Sequence, residues 1–147
     1  MLSADPASIE TTYPAPNRLR MTLRSHPATL APMRKVFEAF TEKAGFNEAD
    51  RGQIILVINE ALANVMRHAY NGATDKPIEI NATDTSESFQ VDIRDWGNGK
   101  LPPANKVHDP LQPGGLGLVC LKQFMTKVSF HPEPDGMTLT MVRNKTR

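Results

Sequence analysis

The chain has 147 residues, 39% of them hydrophobic and 22% charged, a balance that suits one globular domain and excludes a disordered or fibrous chain. A formal net charge of +1, with no basic run interleaved with aromatics, argues against direct nucleic-acid binding or adhesion to anionic lipid. The single cysteine, Cys120, excludes an intrachain disulfide and the multi-ligand zinc patterns. No apolar run reaches the roughly 20 residues of a membrane span, and the first residues carry no signal-peptide pattern, so a cytoplasmic protein with no membrane partner is expected.

In chain order, residues 1–16, with Pro6, Pro14 and Pro16, read as a flexible N-terminal arm, and 17–147 as a single domain. Residues 17–25 alternate, with Leu19, Met21 and Leu23 on one side and Arg18, Arg20, Thr22 and Arg24 on the other, which predicts a half-buried strand whose basic outer row could guard a sheet edge. Leu30, Met33, Val36, Phe37 and Phe40 then repeat at helical spacing over 29–43, and Gly45 suits the cap beyond it. Asn47 followed by Glu48 and Asp50 is a helix-start signature, and this second helix is expected to run to about Tyr70, stopping at Asn71-Gly72. Strands over 77–83 and 88–95, a Gly-, Pro- and Asn-rich segment over 97–115, a helix over 115–125 and a closing hairpin of 127–131 and 137–143 complete the order. That order predicts an α/β (α+β) two-layer sandwich: a mostly antiparallel sheet covered on one face by about three helices.

Three places carry chemistry. On the second helix, Ile54, Val57, Ile58, Ala61, Leu62, Val65 and Ala69 form the apolar stripe, while Glu60, Asn64 and His68, at i, i+4 and i+8, stack on one flank with Arg67 adjacent. A carboxylate, an amide oxygen and an imidazole in a row could serve a hard cation and a reacting water. Mg²⁺ favours oxygen ligands and keeps several waters, and a nearby carboxylate can take a proton. A solvated polar flank would show the same row.

In the strand 89–95 the two-residue period places Asp95 with Phe89, Val91 and Ile93 on the core face. A carboxylate there is costly unless it accepts hydrogen bonds, and the donors could be a purine's exocyclic amine or loop amides. Gly97 and Gly99 follow at Asp+2 and Asp+4 and permit close backbone approach to a flat ligand; a capped tight turn fits as well. Trp96 falls on the outer face. Finally, Gly114-Gly115-Leu116-Gly117-Leu118 leads into the third helix, where free N–H groups and the helix dipole favour phosphate, although a lid hinge reads identically. The segment is neither a Walker loop nor a dinucleotide fingerprint. Lys122, one to two turns further on, is either a phosphate contact or a solvated lysine, and Cys120 is expected in the core.

Taken in order, Glu60-Ala-x-x-Asn64, Asp95-x-Gly97-x-Gly99 and Gly114-Gly115-x-Gly117-Leu118 resemble the N, G1 and G2 boxes of the gyrase / histidine-kinase / MutL ATPase superfamily, whose ATP-binding domain is the Bergerat fold. The run from Asn59 to Tyr70 is similar to the N box of bacterial anti-sigma factor serine kinases. The resemblance spans about 17–143 and implies ATP and Mg²⁺ as cofactors, with Asn64 as the metal ligand and Glu60 as the catalytic base. It further implies Asp95 as acceptor for the adenine amine, Gly97 and Gly99 shaping the base pocket, and His68, Gly114, Gly115, Leu116, Gly117 and Leu118 among the nucleotide contacts. Residues 100–114 would be a short lid, carrying Lys100, Lys106 and His108 but no arginine.

The superfamily often has Gly-Thr on its closing strand. Here Gly136 is followed by Met137, so Thr138 is the nearest match for the base contact. The implied activity is a protein serine kinase and anti-sigma factor that binds a sigma factor and phosphorylates a small anti-anti-sigma antagonist, with a homodimer as the expected assembly. A non-catalytic ATP-binding regulatory module of the same fold, controlling a sigma factor, phosphatase or signalling complex, is the alternative.

Overall fold

The computed structural model describes residues 2–98 and 117–145, with the backbone alone for 117–120. Its elements are β1 (Ile9–Ala15), β2 (Arg18–Arg24), α1 (Leu30–Lys43), α2 (Glu48–Asn64), β3 (Pro77–Asp84), β4 (Ser88–Asp95), α3 (Gly117–Phe124), β5 (Lys127–Glu133) and β6 (Gly136–Asn144). The six strands form one sheet in the order β1-β2-β3-β4-β6-β5, every neighbouring pair antiparallel. The expected two-layer sandwich is therefore present, with the helices on one face.

Strand parity explains that packing. Leu19, Met21 and Leu23 of β2, Ile78 and Ile80 of β3, Phe89, Val91 and Ile93 of β4, and Leu139 and Met141 of β6 are all buried, each set spaced by two. They meet Met33, Phe37 and Phe40 of α1 and Ile54, Val57, Ile58, Ala61 and Leu62 of α2 in one continuous core. Burying such a side chain contributes about 1.5–3 kcal/mol, so the core holds α2, the site-bearing helix, against the sheet. The start of α2 is fixed as its sequence implies: the Asn47 side chain accepts from Asp50 N–H at 2.8 Å. Among the described residues no helix is long and apolar enough to cross a membrane.

Two expectations change. The N-terminal segment is not a free arm along its whole length, because Ile9–Ala15 pairs with β2 as the edge strand, with a register shift between Thr12 and Ala15. Pro14 is tolerated there because an edge strand need not donate on both sides. Ahead of β1, the Arg24 guanidinium donates to the carbonyls of Ser3 and Asp5. Consequently β2 is an inner strand, and its arginine row lies on the open sheet face rather than at an edge. The second change lies at the end of α2: residues Val65–Ala69 are a π turn, not α-helix, with Tyr70 N–H donating to Val65 O at 3.0 Å.

Candidate nucleotide site

The site forms where α2, its π turn and the ends of β4 and β6 converge. The π turn ends with Ala69 aimed at the loop after β4, where Asn98 N–H donates to Ala69 O at 3.3 Å and Asn98 Nδ2 to His68 O at 2.9 Å. Gly97 packs so tightly on this turn that an added Cβ would sit 2.8 Å from Ala69 Cβ and closer still to its carbonyl oxygen. This glycine is a steric requirement rather than a flexible joint. Gly97→Ala is expected to destabilise the fold by about 1–3 kcal/mol through overpacking, read as a lowered thermal midpoint; an unchanged midpoint would show that the loop can move away at no cost.

Tyr70 closes the same junction. Its buried hydroxyl donates to Pro77 O and accepts Trp96 N–H at 2.8 Å, tying the end of the π turn to the starts of β3 and of the loop after β4. Burial, and the nearby Asp95 charge, push its pKa up, against the opposing effects of the Trp96 N–H and Arg94. The tyrosine therefore remains a neutral structural clamp. Nothing in the residue spacing marks this role, since the partners lie in other elements, Pro77 seven residues on and Trp96 26.

Asp95, at the end of β4, is 3% exposed and faces the helices, as its parity implies. Its Oδ1 accepts Gly97 N–H at 2.9 Å. Burial raises its pKa, while the Gly97 N–H and the Arg94 guanidinium pull the other way. Trp96 points outward, 40% exposed, with the Arg94 guanidinium 4.7 Å above its ring centre.

Above Asp95 lies an open cavity of about 400 Å³ including its mouth. Ala61, Asn64, Val65, His68 and Ala69 form one wall, and Leu121 of α3, Phe130 of β5, and Met137 and Leu139 of β6 supply apolar surface. A largely apolar cleft with a few converging polar groups is the usual make-up of a small-molecule site, and Asp95 provides a buried acceptor within it. Asn64 is 9% exposed, and its Oδ1 accepts from Arg67 Nη2 at 2.8 Å. One turn earlier on α2, Glu60 carries a buried Oε2 with no hydrogen-bond partner among the described residues.

The structure thus gathers Asn64, His68 and Asp95 on one cavity, with Glu60 one helical turn from Asn64 and Gly97 beneath. Thr138 is not brought in. It pairs with Arg94 across the β4–β6 ladder, on the face away from the helices, and its hydroxyl donates to Glu133 Oε1 at 3.1 Å. Parity is the reason: Met137 and Leu139 take the cavity side, so the adenine contact assigned to Thr138 is corrected. Close packing around β6 is nevertheless evident at Gly136, where a Cβ would collide with the Asp95 carbonyl. Gly99, Gly114, Gly115 and Leu116, with the lid at 100–114, lie outside the described residues. Gly117 opens α3 and Leu118 follows it; Lys122 is exposed.

The donor set can be weighed against the groups expected to bind. No cluster of three or more His, Cys, Asp or Glu able to hold a metal occurs among the described residues. A single amide oxygen such as that of Asn64 suits Mg²⁺ brought in by a nucleotide, because phosphate oxygens and waters complete its octahedron. The apolar walls and buried Asp95 acceptor suit a purine bearing an exocyclic amine, and the Glu60 oxygen, unpartnered among the described residues, suits a group that must receive a proton. The residues fit Mg·ATP.

A histidine kinase-like ATPase domain profile matches residues 23–143, and the chain belongs to that family. It is 28% identical over 137 residues to the serine-protein kinase RsbW of Halalkalibacterium halodurans, covering 87% of this chain and 83% of that protein. An anti-sigma F factor of the same organism is 28% identical over 102 residues, covering 65% and 70% of the two chains. Among solved structures, the RsbU and RsbW domains of a Mycobacterium tuberculosis protein superpose with a TM-score of 0.65 at 18% identity, covering 89% of this chain but 32% of that longer one. This likeness extends to the fold. The relatives' names fall in the branch whose N box the 59–70 run resembles.

Proposed function

We propose that this protein is a Mg·ATP-dependent protein serine kinase and anti-sigma factor of a partner-switching system, acting in the cytoplasm as a homodimer. It would hold a sigma factor and phosphorylate a small anti-anti-sigma antagonist. The observation that carries the chemistry is the buried Glu60 oxygen, without a hydrogen-bond partner among the described residues, one turn from Asn64 on the helix that walls a cavity ending at Asp95.

The roles divide among this chain's own groups. Asp95 accepts from the adenine amine, and Val65, Met137 and Leu139 hold the ring away from water. Asn64 offers its amide oxygen to the cation. When bound, Mg·ATP supplies the transferable phosphoryl group and neutralises its charge. Glu60 takes the proton of the attacking serine hydroxyl, so positioning and proton acceptance come from adjacent turns of one rigid helix.

The reading is tested by capturing partners on the purified protein with and without Mg·ATP, then mapping phosphoserine on what is captured. A small protein phosphorylated on serine only with Mg·ATP is expected, together with nucleotide-dependent retention of a sigma factor. Stoichiometric ATP binding with no phosphorylated partner would replace the kinase by a regulatory nucleotide-binding module.

A further inference from the structure

We propose that Arg94 is a positioning residue for base specificity: from the open face of the sheet it fastens the β5–β6 turn to the end of β4, and so holds Asp95 and Met137 in register at the cavity. This rests on the Mg·ATP reading above. The Arg94 guanidinium has three partners at once. Its Nη1 donates to the Asp95 carbonyl at 2.8 Å. Its Nη2 donates to the carboxylate of Asp135 in the β5–β6 turn, and its Cζ lies 4.7 Å from the Trp96 ring centre. Gly136, at φ +154°, completes the junction: a Cβ there would collide with the Asp95 carbonyl and stand 2.8 Å from Arg94 Nη1. The turn thus rests directly on the Asp95 carbonyl and on the group that binds it.

Register carries the effect through the sheet. Arg94 pairs with Thr138 on the open face, and the next pair, Asp95 with Met137, lines the cavity. That pair is the last of its ladder, because β4 ends at Asp95 and β6 begins at Gly136. The ends of elements open most readily, so the two residues that frame the base stand where the ladder alone holds them least. A planar fork of donors that can also stack on an aromatic ring suits the task, since one side chain then ties a carbonyl, a carboxylate and an indole together. The Arg94 side chain lies on the face opposite the cavity. Its influence on a ligand therefore passes through Asp95 and Met137, and it takes no part in the transfer step.

The test compares wild-type protein with Arg94→Gln, which removes the fork, and Asp135→Asn, which weakens only the tie to the turn at a side chain 65% exposed. Calorimetry gives the affinities for Mg·ATP and for the magnesium complex of inosine triphosphate, which has an oxo group in place of the exocyclic amine. Arg94→Gln is expected to bind Mg·ATP about tenfold more weakly, the scale of one hydrogen bond involving a charged group, while its affinity for the inosine nucleotide changes little. Asp135→Asn should reduce the preference for ATP in the same direction, and should add nothing further once Arg94→Gln is present, since the two act as one unit. Asp135→Asn carries the test alone should Arg94→Gln not fold. Equal weakening of both nucleotides would reduce Arg94 to a structural staple and overturn the proposal, as would wild-type preference in both variants. If the wild-type protein binds neither nucleotide, the Mg·ATP reading itself fails and this inference falls with it.

Discussion

Replacing Glu60 with glutamine is expected to slow phosphoryl transfer to the antagonist by about 10²–10⁴-fold, the usual contribution of a positioned general base, while Mg·ATP binding stays close to wild type. Glutamine keeps the length and shape of the side chain, so the packing of α2 is preserved and only the capacity to take a proton is lost. The buried Oε2 has no hydrogen-bond partner among the described residues, so no structural bond of that oxygen is removed along with the chemistry. Single-turnover transfer from labelled ATP, paired with calorimetry on the same preparations, separates binding from transfer. A wild-type transfer rate in the variant would remove Glu60 from the mechanism.

Asp95→Ala is expected to weaken ATP binding about 10–100-fold, since a hydrogen bond to a charged acceptor contributes roughly 1.5–3 kcal/mol. It should also abolish any preference for ATP over inosine triphosphate, which lacks the exocyclic amine. The pH dependence has a definite sign. Desolvation raises the pKa of Asp95 above the ordinary carboxylate value, against the Gly97 N–H and Arg94. Protonation replaces the acceptor with an O–H, so ATP affinity should fall as pH drops through that raised pKa, and at a higher pH than for an ordinary aspartate.

The stability linkage runs the other way. The folded state binds this proton more tightly than the unfolded one, so ionised Asp95 costs stability above its raised pKa. That cost fades as pH falls toward the ordinary value. Unchanged ATP affinity in Asp95→Ala, or ATP binding that strengthens on acidification, would show that Asp95 is not the base acceptor.

Legibility in the sequence followed the range of the forces involved. The parity of 89–95 placed Asp95 on the core face, and the i, i+4 spacing placed Glu60 and Asn64 on one flank of a helix whose Asn47 cap was equally plain. Both are short-range geometric consequences of regular backbone. The strand Ile9–Ala15 was hidden because an edge strand half-exposed to solvent needs little apolar alternation, and Pro14 disguises it further. Thr138 was assigned by analogy with Gly-Thr in related proteins, against the local alternation of Met137, Leu139 and Met141 that turns it away from the cavity. The Gly97–Ala69 contact and the Tyr70 clamp depend on a π turn and on tertiary register, neither of which residue spacing encodes.

The most direct test of the central claim is a calorimetric titration of the wild-type protein with ATP, once in Mg²⁺ and once in EDTA. Saturable one-to-one binding that is strengthened by Mg²⁺ is predicted. The absence of binding at millimolar nucleotide would contradict an ATP site built on Asn64 and Asp95.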